Sequence, residues 1–465
     1  MPDAARTETD AHPDDSVRTA IDAPRSPRLP PRDDWPTRLR FALGVLLVGL
    51  GATAFAVVFR AGLAGATQAW AATSDVVDAM RVAPLWVRLL GPACGGLLGG
   101  LLGRWMARGP SGHGVGDVME AVVLGRVQLS LRVTLLKSAA SWFAIVSGGS
   151  IGREGPLIQF GGSVGKVIGE RLRLSPAQVR LLIAAGTAAG FASAYNTPFA
   201  AVLFVLEVVT GVVALEAVLP ALVATVIATA LTRAIAGEGP IYGERSFHLE
   251  APFELVAFGG LGVMAALAAL MFMASLETSE GVFRRLPFGR PWRPALGGLL
   301  AGAVVFWLPE VAGNGYEPLN ALLDGKFSLG FVAVLLLGKC VATSASVSSG
   351  SPGGVFTPTL LIGGAIGMLY ASAAAQLGIS LGPPGGYALV GMAAAAAATT
   401  HAPLMAAVMV FELSGDYAIV LPLVLATAIA TLVSRHVRRQ SIYTAELERR
   451  GVHWEVTIEG RRMMG

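Results

Sequence analysis

A single acidic residue, Glu154, stands inside a glycine-rich stretch of the chain. The stretch spans residues 147–162, and an apolar run from Val133 to Val146 precedes it. A carboxylate at the centre of a bilayer costs about 2.5–3.5 kcal/mol, so it is normally retained only where it lines a cavity or a pathway. Glycines allow backbone N–H groups to turn outward, and Pro156 suits the first turn of a new helix.

A helix that begins inside a membrane points its free N–H groups, and about half a positive charge, at whatever lies before it. The stretch therefore predicts an anion-facing break between helices with one titratable carboxylate beside it. A polar loop at the membrane surface is the alternative that this stretch alone leaves open.

The composition predicts a helical membrane protein. Of the 465 residues, 54% are hydrophobic and 14% are charged, whereas soluble domains carry about 25% charged residues. The apolar runs do not alternate as the strands of a barrel do, so helices are expected to dominate. The formal net charge of +4 does not indicate binding of nucleic acid. We expect no enzymatic activity, no metal site and no cofactor.

The chain ends are expected to lie in the cytoplasm. Residues 1–35 are rich in Asp, Arg, Pro and Ala and have no apolar core, which predicts a disordered cytoplasmic tail rather than a signal peptide. Arginines flank the first and last apolar runs, so the positive-inside rule favours an even number of crossings of the inner (plasma) membrane. Residues 451–465 are predicted to form a second cytoplasmic tail.

Eleven apolar runs predict membrane spans, and two of them are interrupted. Cys94 and Cys340 lie in such runs and are predicted to be reduced core residues. Gly95, Gly99 and Gly103 are spaced as a helix-packing face. The spans are expected near residues 39–60, 84–107, 131–147, 178–208 (interrupted), 212–234, 252–275, 293–312, 328–346, 354–376, 386–413 (interrupted) and 418–434.

An internal repeat organises the chain. Eight special residues recur in the same order at a constant offset of 202: Lys137, Ser147, Gly148, Gly152, Pro156, Gly161, Gly162 and Gly165 match Lys339, Ser349, Gly350, Gly354, Pro358, Gly363, Gly364 and Gly367. Further along, Pro198 and Glu207 match Pro403 and Glu412, and the members of each pair are nine residues apart. The repeat predicts two halves, residues 36–245 and 246–450, of opposite topology, with a transport site at their interface.

Three motifs together resemble those of the CLC chloride channels and transporters: residues 152–156 (Gly-Arg-Glu-Gly-Pro), residues 353–358 (Gly-Gly-Val-Phe-Thr-Pro) and Tyr443. The resemblance covers roughly residues 36–450. It implies an all-α polytopic protein built as an inverted repeat with broken intramembrane helices. It also implies a homodimer in the lipid bilayer, with one chloride pathway in each subunit. Few residues follow the last span, so a bacterial type without the eukaryotic cytoplasmic tail is expected.

The resemblance assigns roles to the motif residues. Glu154 matches the gating glutamate, whose carboxylate occupies an anion site when ionised and leaves it when protonated. Val355 and Phe356 match positions whose backbone N–H groups contact the anion. Gly152, Arg153 and Gly155 supply N–H groups in the same way. Tyr443 matches the tyrosine whose hydroxyl donates to the anion, although a membrane-edge anchor is the open alternative.

Two positions depart from the family pattern. His113 stands where the family has an anion-ligating serine, so an anion other than chloride, such as fluoride or nitrate, remains open. A neutral imidazole can still donate to an anion, and a surface histidine at a helix start is the other interpretation. Val208 stands where exchangers typically carry the second of two glutamates. Glu207, the first, is either a proton-path residue or a structural carboxylate.

The sequence therefore predicts transmembrane chloride transport through a glutamate-gated pathway, with a preference for channel-like or weakly proton-coupled flux. A chloride/proton antiporter is the alternative. Lys137 and Lys339 either raise the potential along the path or pair with carboxylates. An intramembrane hydrolase using Ser150 with His113 or His401, and a receptor without flux, are the remaining alternatives.

Overall fold

The computed structural model describes residues 34–105, 114–123, 129–211, 215–237, 242, 247, 253–289, 291–379, 381–452, 454–457 and 460–463. His113 and the predicted tail up to residue 33 lie outside this part of the chain. Helices dominate the described residues, and one small hairpin, β1 (Trp454–Thr457) with β2 (Gly460–Met463), occupies the predicted C-terminal tail.

The first helix that the structure describes begins at a polar N-cap. Asp34 accepts a hydrogen bond from the N–H of Thr37 at the start of the chain's first helix. A π-helical turn, Phe204–Thr210, follows α8. The helices are α1 (Trp35–Ala71), α2 (Val76–Val82), α3 (Leu85–Trp105), α4 (Val115–Val123), α5 (Leu131–Val146), α6 (Glu154–Arg171), α7 (Pro176–Tyr195), α8 (Pro198–Leu203) and α9 (Leu215–Ala236).

The second half follows a similar order of helices. A 3₁₀ turn, Pro309–Val311, lies between its second and third helices. The helices are α10 (Glu254–Arg285), α11 (Trp292–Trp307), α12 (Tyr316–Leu323), α13 (Leu329–Ser348), α14 (Phe356–Gln376), α15 (Pro384–Thr400), α16 (Pro403–Ser414), α17 (Val420–Val437) and α18 (Ile442–Arg449).

Both interruptions expected from the sequence are present. Asn196 and His401 adopt the left-handed conformation, with φ of 59° each, and separate α7 from α8 and α15 from α16. Among the described residues, seven helical segments are long and apolar enough to cross a membrane. Two spans are longer than predicted: α1 continues to Ala71 and α10 to Arg285. Helices can continue past the apolar run because their backbone bonds do not depend on lipid.

Reciprocal contacts relate the two halves. A side chain on Gly96 of α3 would overlap the carbonyl of Pro294, and one on Gly298 of α11 would overlap the carbonyl of Pro92. The two contacts are equivalent in the sequence repeat, because Gly96 and Gly298, and likewise Pro92 and Pro294, are 202 residues apart. Such paired contacts are those of a two-fold axis between the halves, and only glycine allows this approach of backbones.

The same close approach recurs inside each half. Gly161 of α6 faces the carbonyl of Gly186 on α7, and Gly363 of α14 faces the carbonyl of Gly391 on α15. The first helix of each pair begins inside one of the two glycine motifs, residues 152–156 and residues 353–358. The crossings therefore fix the positions of α6 and α14, and with them the residues at their N-termini.

Two expectations about individual residues need correction. Both cysteines are free, as predicted, but Cys94 is exposed and Cys340 is only half-buried. Apolar character does not distinguish core from surface in a membrane helix, because the lipid-facing surface is equally apolar. Gly95 and Gly99 lie close to α5, whereas a side chain on Gly103 would meet none of the described residues within 4 Å, so the described contacts do not include Gly103 in the packing face.

The crossing of α6 and α7 leads to a stability prediction. Gly161→Ala should lower the stability by about 1–3 kcal/mol, because the added methyl group overlaps the Gly186 carbonyl and the helices must separate. Gly103→Ala is the matched control and should be neutral or slightly stabilising. The measurement is the thermal midpoint of the detergent-purified protein, followed by size-exclusion chromatography. Equal midpoints for the two variants would contradict the prediction.

Candidate anion site between two helix N-termini

The N-termini of α6 and α14 are joined directly by their backbones. The N–H of Gly152 donates to the carbonyl of Gly354 at 2.7 Å, and the N–H of Gly354 donates to the carbonyl of Gly152 at 2.8 Å. The repeat partners thus form a short antiparallel bridge. The bridge holds the two helix starts, whose first N–H groups have no intrahelical partner, at one place inside the protein.

The side chain of Glu154 lies across this junction. Its Oε1 accepts hydrogen bonds from the N–H of Phe356 at 2.8 Å and from the N–H of Thr357 at 3.3 Å. Its Oε2 accepts from the hydroxyl of Thr357 at 3.1 Å. We call these three donors of α14 the seat. Glu154 is 1% exposed, so the seat holds a carboxylate in the protein interior, where the dipole of α14 also favours negative charge.

Glycine makes room for this carboxylate. A Cβ on Gly152 or on Gly354 would overlap the Glu154 carboxyl group. These two positions therefore need glycine for space as well as for the close backbone bridge.

The seat can bind any small anion that accepts hydrogen bonds. An ionised carboxylate satisfies all three donors, and a free monovalent anion could accept from the same groups. Protonation removes the charge of Glu154 and weakens its hold on the seat. The arrangement can therefore exchange an internal anion for an external one.

The predicted anion contacts Val355 and Phe356 lie at the seat, and both are buried. Val355 is the N-cap of α14. The N–H of Phe356 donates to Glu154, as described above. Gly155 is the second residue of α6 and is also buried. The guanidinium of Arg153, by contrast, lies over the ring of Tyr316, 4.8 Å from its centroid.

Tyr443 lies in the first turn of α18 and is 4% exposed. Its ring meets the ring of Phe204 edge-on, with centroids 6.3 Å apart. Phe204 stacks on Phe191 at 4.7 Å, and Phe191 lies 6.0 Å from Phe356 at the seat. This burial argues against the alternative of a membrane-edge anchor.

Lys137 and Lys339, equivalent in the repeat, have different partners. Lys137 forms an ion pair with Asp117 at 2.7 Å. Asp117 also pairs with Arg450 at 2.8 Å, which ties the end of α18 to α4. The ammonium of Lys339 donates to the carbonyls of Val311 and Gly313, each at 2.9 Å.

Glu207 and Glu412 each cap a helix of the opposite half. Glu207 accepts from the N–H groups of Leu404 and Met405, at 3.3 and 2.7 Å, at the start of α16. Glu412 accepts from the N–H groups of residues 199 and 200, at 3.1 and 2.8 Å, at the start of α8. The two contacts are equivalent in the repeat, and each joins a carboxylate of one half to a helix start of the other. Val208, next to Glu207, is buried.

Two cavities approach the seat. One, of about 490 Å³, reaches Val355 and Ile442, the neighbours of Phe356 and Tyr443. The other, of about 540 Å³, reaches Tyr316, whose ring lies 6.3 Å from that of Tyr195. The first cavity carries four arginines, Arg284, Arg293, Arg438 and Arg449, against three glutamates, Glu277, Glu280 and Glu446, and it also reaches Lys137, which is paired with Asp117.

The residues proposed for a hydrolase contact different partners. The Ser150 hydroxyl lies 2.9 Å from that of Thr343, and His401 Nε2 lies 3.4 Å from the hydroxyl of Ser434. His113, the other candidate, lies outside the described residues. The described contacts therefore do not support a serine–histidine pair at Ser150.

Comparisons with known proteins agree with this geometry. The family described as "Voltage gated chloride channel" matches residues 95–435. A ClcB-like chloride channel protein of Ralstonia nicotianae is 39% identical over 410 residues, which cover 87% of this chain and 95% of that protein. The "Voltage-gated ClC-type chloride channel ClcB" of Escherichia coli O81 is 36% identical, with 80% and 89% covered.

The chain belongs to the voltage-gated chloride channel (CLC) family. The resemblance found in its motifs is thereby confirmed. As a CLC protein with several long apolar helices, it is a multi-pass integral membrane protein.

Solved structures confirm the CLC fold. A slow cyanobacterial Cl⁻/H⁺ antiporter superposes with a TM-score of 0.79 at 26% identity and covers 88% of this chain and 98% of its own. A CLC-type fluoride/proton antiporter superposes with a TM-score of 0.74 at 24% identity, with 89% and 99% covered. The second likeness concerns the fold alone.

Sequence reasoning missed three residues of this site. Thr357 is inside the motif of residues 353–358, but the resemblance implies anion contacts only for Val355 and Phe356. Tyr195 directly precedes the repeated segment that begins at Asn196. Arg450, seven residues after Tyr443, gave no signal, because a lone arginine near a chain end is ordinarily a solvated charge.

The reciprocal caps lead to a second prediction. Glu207→Gln and Glu412→Gln should each lower the stability by about 1 kcal/mol, because each loses a charged acceptor of two helix N–H groups. Thermal midpoints in detergent measure the effect, and the two variants serve as controls for each other. A change in proton movement in Glu207→Gln alone would instead assign Glu207 to a proton path.

Proposed function

We propose that this CLC protein transports chloride across the membrane through a pathway that Glu154 opens and closes. The observation that carries the proposal is the carboxylate of Glu154 bound by the three donors of the seat. While ionised, Glu154 occupies the anion position and blocks it. When protonated, it releases the seat to an entering anion.

The donor set suits a monovalent anion that must leave again. The seat offers partial charges from N–H and O–H groups, and the nearest arginine in sequence, Arg153, contacts Tyr316 instead. Lys137 is neutralised by Asp117, and Lys339 is bound to backbone carbonyls. Conduction requires favourable but weak binding, which a fixed cation at the seat would prevent.

Two observations favour different modes of transport. Val208 replaces the second glutamate that exchangers of the family typically carry, and Glu207 caps α16, which favours channel-like or weakly coupled flux. The 26% identical antiporter favours chloride/proton exchange, and proton coupling needs only Glu154 at the seat itself. The two modes are separated by the experiment below.

We further propose a homodimer in the plasma membrane, with both termini in the cytoplasm. The exposed apolar side chains Leu215, Leu219, Val223 and Val226 on α9 leave a surface that fits lipid or a second copy. The proposed orientation places the cation-rich cavity near Val355 on the cytoplasmic side, where it would attract chloride.

Liposomes containing the purified protein test the function. With a chloride gradient imposed, we expect chloride flux that increases as the pH falls, because protonation releases Glu154 from the seat. Glu154→Gln should remove this pH dependence and any uphill proton movement, since the amide cannot ionise. Chloride efflux and internal pH are recorded together.

Glu216→Gln, on the exposed start of α9, is the control and should behave like the unchanged protein. Proton movement with chloride would establish exchange, and chloride flux alone would establish a channel-like mode. Absence of chloride flux would refute the chloride assignment and direct the same assay to fluoride and nitrate. Glu154→Gln with unchanged pH dependence would refute the gate.

A further inference from the structure

Two hydroxyl groups extend the contact network of Glu154 into the protein. The hydroxyl of Thr357 lies 3.1 Å from Glu154 Oε2 and 2.9 Å from the hydroxyl of Tyr195. All three residues are at most 1% exposed. A buried chain of this kind is part of the site, because none of its polar groups can turn to solvent instead.

The direction of the hydrogen bonds follows from the donor inventory. An ionised carboxylate only accepts, so the Thr357 hydroxyl donates its one proton to Glu154. That leaves the Thr357 oxygen as an acceptor, and the Tyr195 hydroxyl donates to it. Tyr195 therefore keeps the O–H bond of Thr357 directed at Glu154 and the seat.

The surroundings keep both side chains in place. Tyr195 is the last residue of α7, and its ring lies 4.8 Å from that of Phe191 and 5.8 Å from that of Phe356. Thr357 is β-branched and stands in the first turn of α14, where few rotamers are allowed. The hydroxyl is thus preorganised rather than free to rotate.

We propose that Thr357 is a side-chain ligand of the transported anion and that Tyr195 is the positioning residue that aims its hydroxyl. When Glu154 leaves, the hydroxyl of Thr357 remains directed at the vacated seat together with the two backbone N–H groups. The anion then accepts three hydrogen bonds instead of two. This inference rests on the proposed transport function and adds a selectivity element to the same site.

The hydroxyl should favour small, strongly hydrated anions. Backbone N–H groups at the seat do not depend on the side chain, whereas the hydroxyl exists only because residue 357 is threonine. Chloride loses more hydration energy on entry than a large anion such as thiocyanate does, so it gains more from each additional donor. Removal of the hydroxyl should therefore lower the preference for chloride over thiocyanate.

The groups that face Glu154 from neighbouring helices must be considered in a pH experiment. Four titratable side chains interact with it electrostatically: Tyr195 of α7, Tyr316 of α12, Lys339 of α13 and Tyr443 of α18. Glu154→Gln is therefore measured beside the unchanged protein. The part of the pH dependence that disappears in this variant is assigned to Glu154, and any part that remains is assigned to these neighbours.

The test uses full-length protein in which Glu154→Ala has emptied the seat. In this background, Thr357→Val keeps the side-chain shape and removes the hydroxyl. We expect the half-saturating chloride concentration to rise about tenfold, the value of one hydrogen bond to a charged group. The ratio of half-saturating thiocyanate to half-saturating chloride should fall by a similar factor. Tyr195→Phe should shift both in the same direction by about two- to threefold, because the donor remains but is no longer aimed.

Two controls separate ligand binding from folding. Thr357→Ser restores the hydroxyl and should return both quantities close to those of the parent. Thr187→Val removes an equally buried hydroxyl on α7 that donates to the carbonyl of Ile183 at 2.8 Å, and it should have no effect. If Thr357→Val does not fold, Tyr195→Phe decides the question.

With Glu154 intact, Thr357→Val should also activate flux at a less acidic pH, because the ionised carboxylate has lost a donor. Unchanged half-saturation and selectivity in Thr357→Val and in Tyr195→Phe would overturn the inference while the proposed function stands. A parent protein without saturable chloride flux would overturn the proposed function, and this inference with it.

Discussion

The burial of one carboxylate is the constraint on which the rest of this structure depends. An ionised group in the interior is costly unless its hydrogen bonds are satisfied. Glu154 meets this requirement with two backbone N–H groups and one hydroxyl at the start of α14. The break between α13 and α14, the glycines at 152 and 354, and the bridge between them all serve to bring those donors to the carboxylate. In the proposed transport mechanism, the same donors bind the anion that replaces Glu154.

Neither half of the chain could build this site alone. The carboxylate comes from the first half and its donors come from the second, with the glycine bridge between them. Each half also caps the start of a short helix of the other half: Glu207 caps α16 and Glu412 caps α8. The glycine contacts of α3 with α11 have the same symmetry. Reciprocal contacts make the interface self-complementary, and the proposed pathway lies at this interface.

The cations of the site act indirectly. Lys137 and Arg450 share Asp117, an arrangement that fixes α18 and the tyrosine on it against α4. Lys339 holds the loop after the 3₁₀ turn by two carbonyls. The seat itself is left with N–H and O–H donors, the kind of donor set that the proposed weak binding of an anion requires. The aromatic cluster around Phe191 and Phe204 gives the seat rigid, apolar surroundings, and hydrogen bonds from these donors are stronger there than in water.

The sequence by itself determined the membrane class, the two-fold repeat and the positions of both broken helices. Intramembrane acids, glycines and prolines carry such signals because few structures tolerate them in lipid. Only the tertiary structure decided which donors reach Glu154, that Tyr195 meets Thr357 across 162 residues, and that Glu207 caps a helix of the other half. It also decided that Cys94 faces outward. These features depend on which faces of the helices pack together. Hydrophobicity does not encode that choice in a membrane protein, because the lipid and the protein interior are equally apolar.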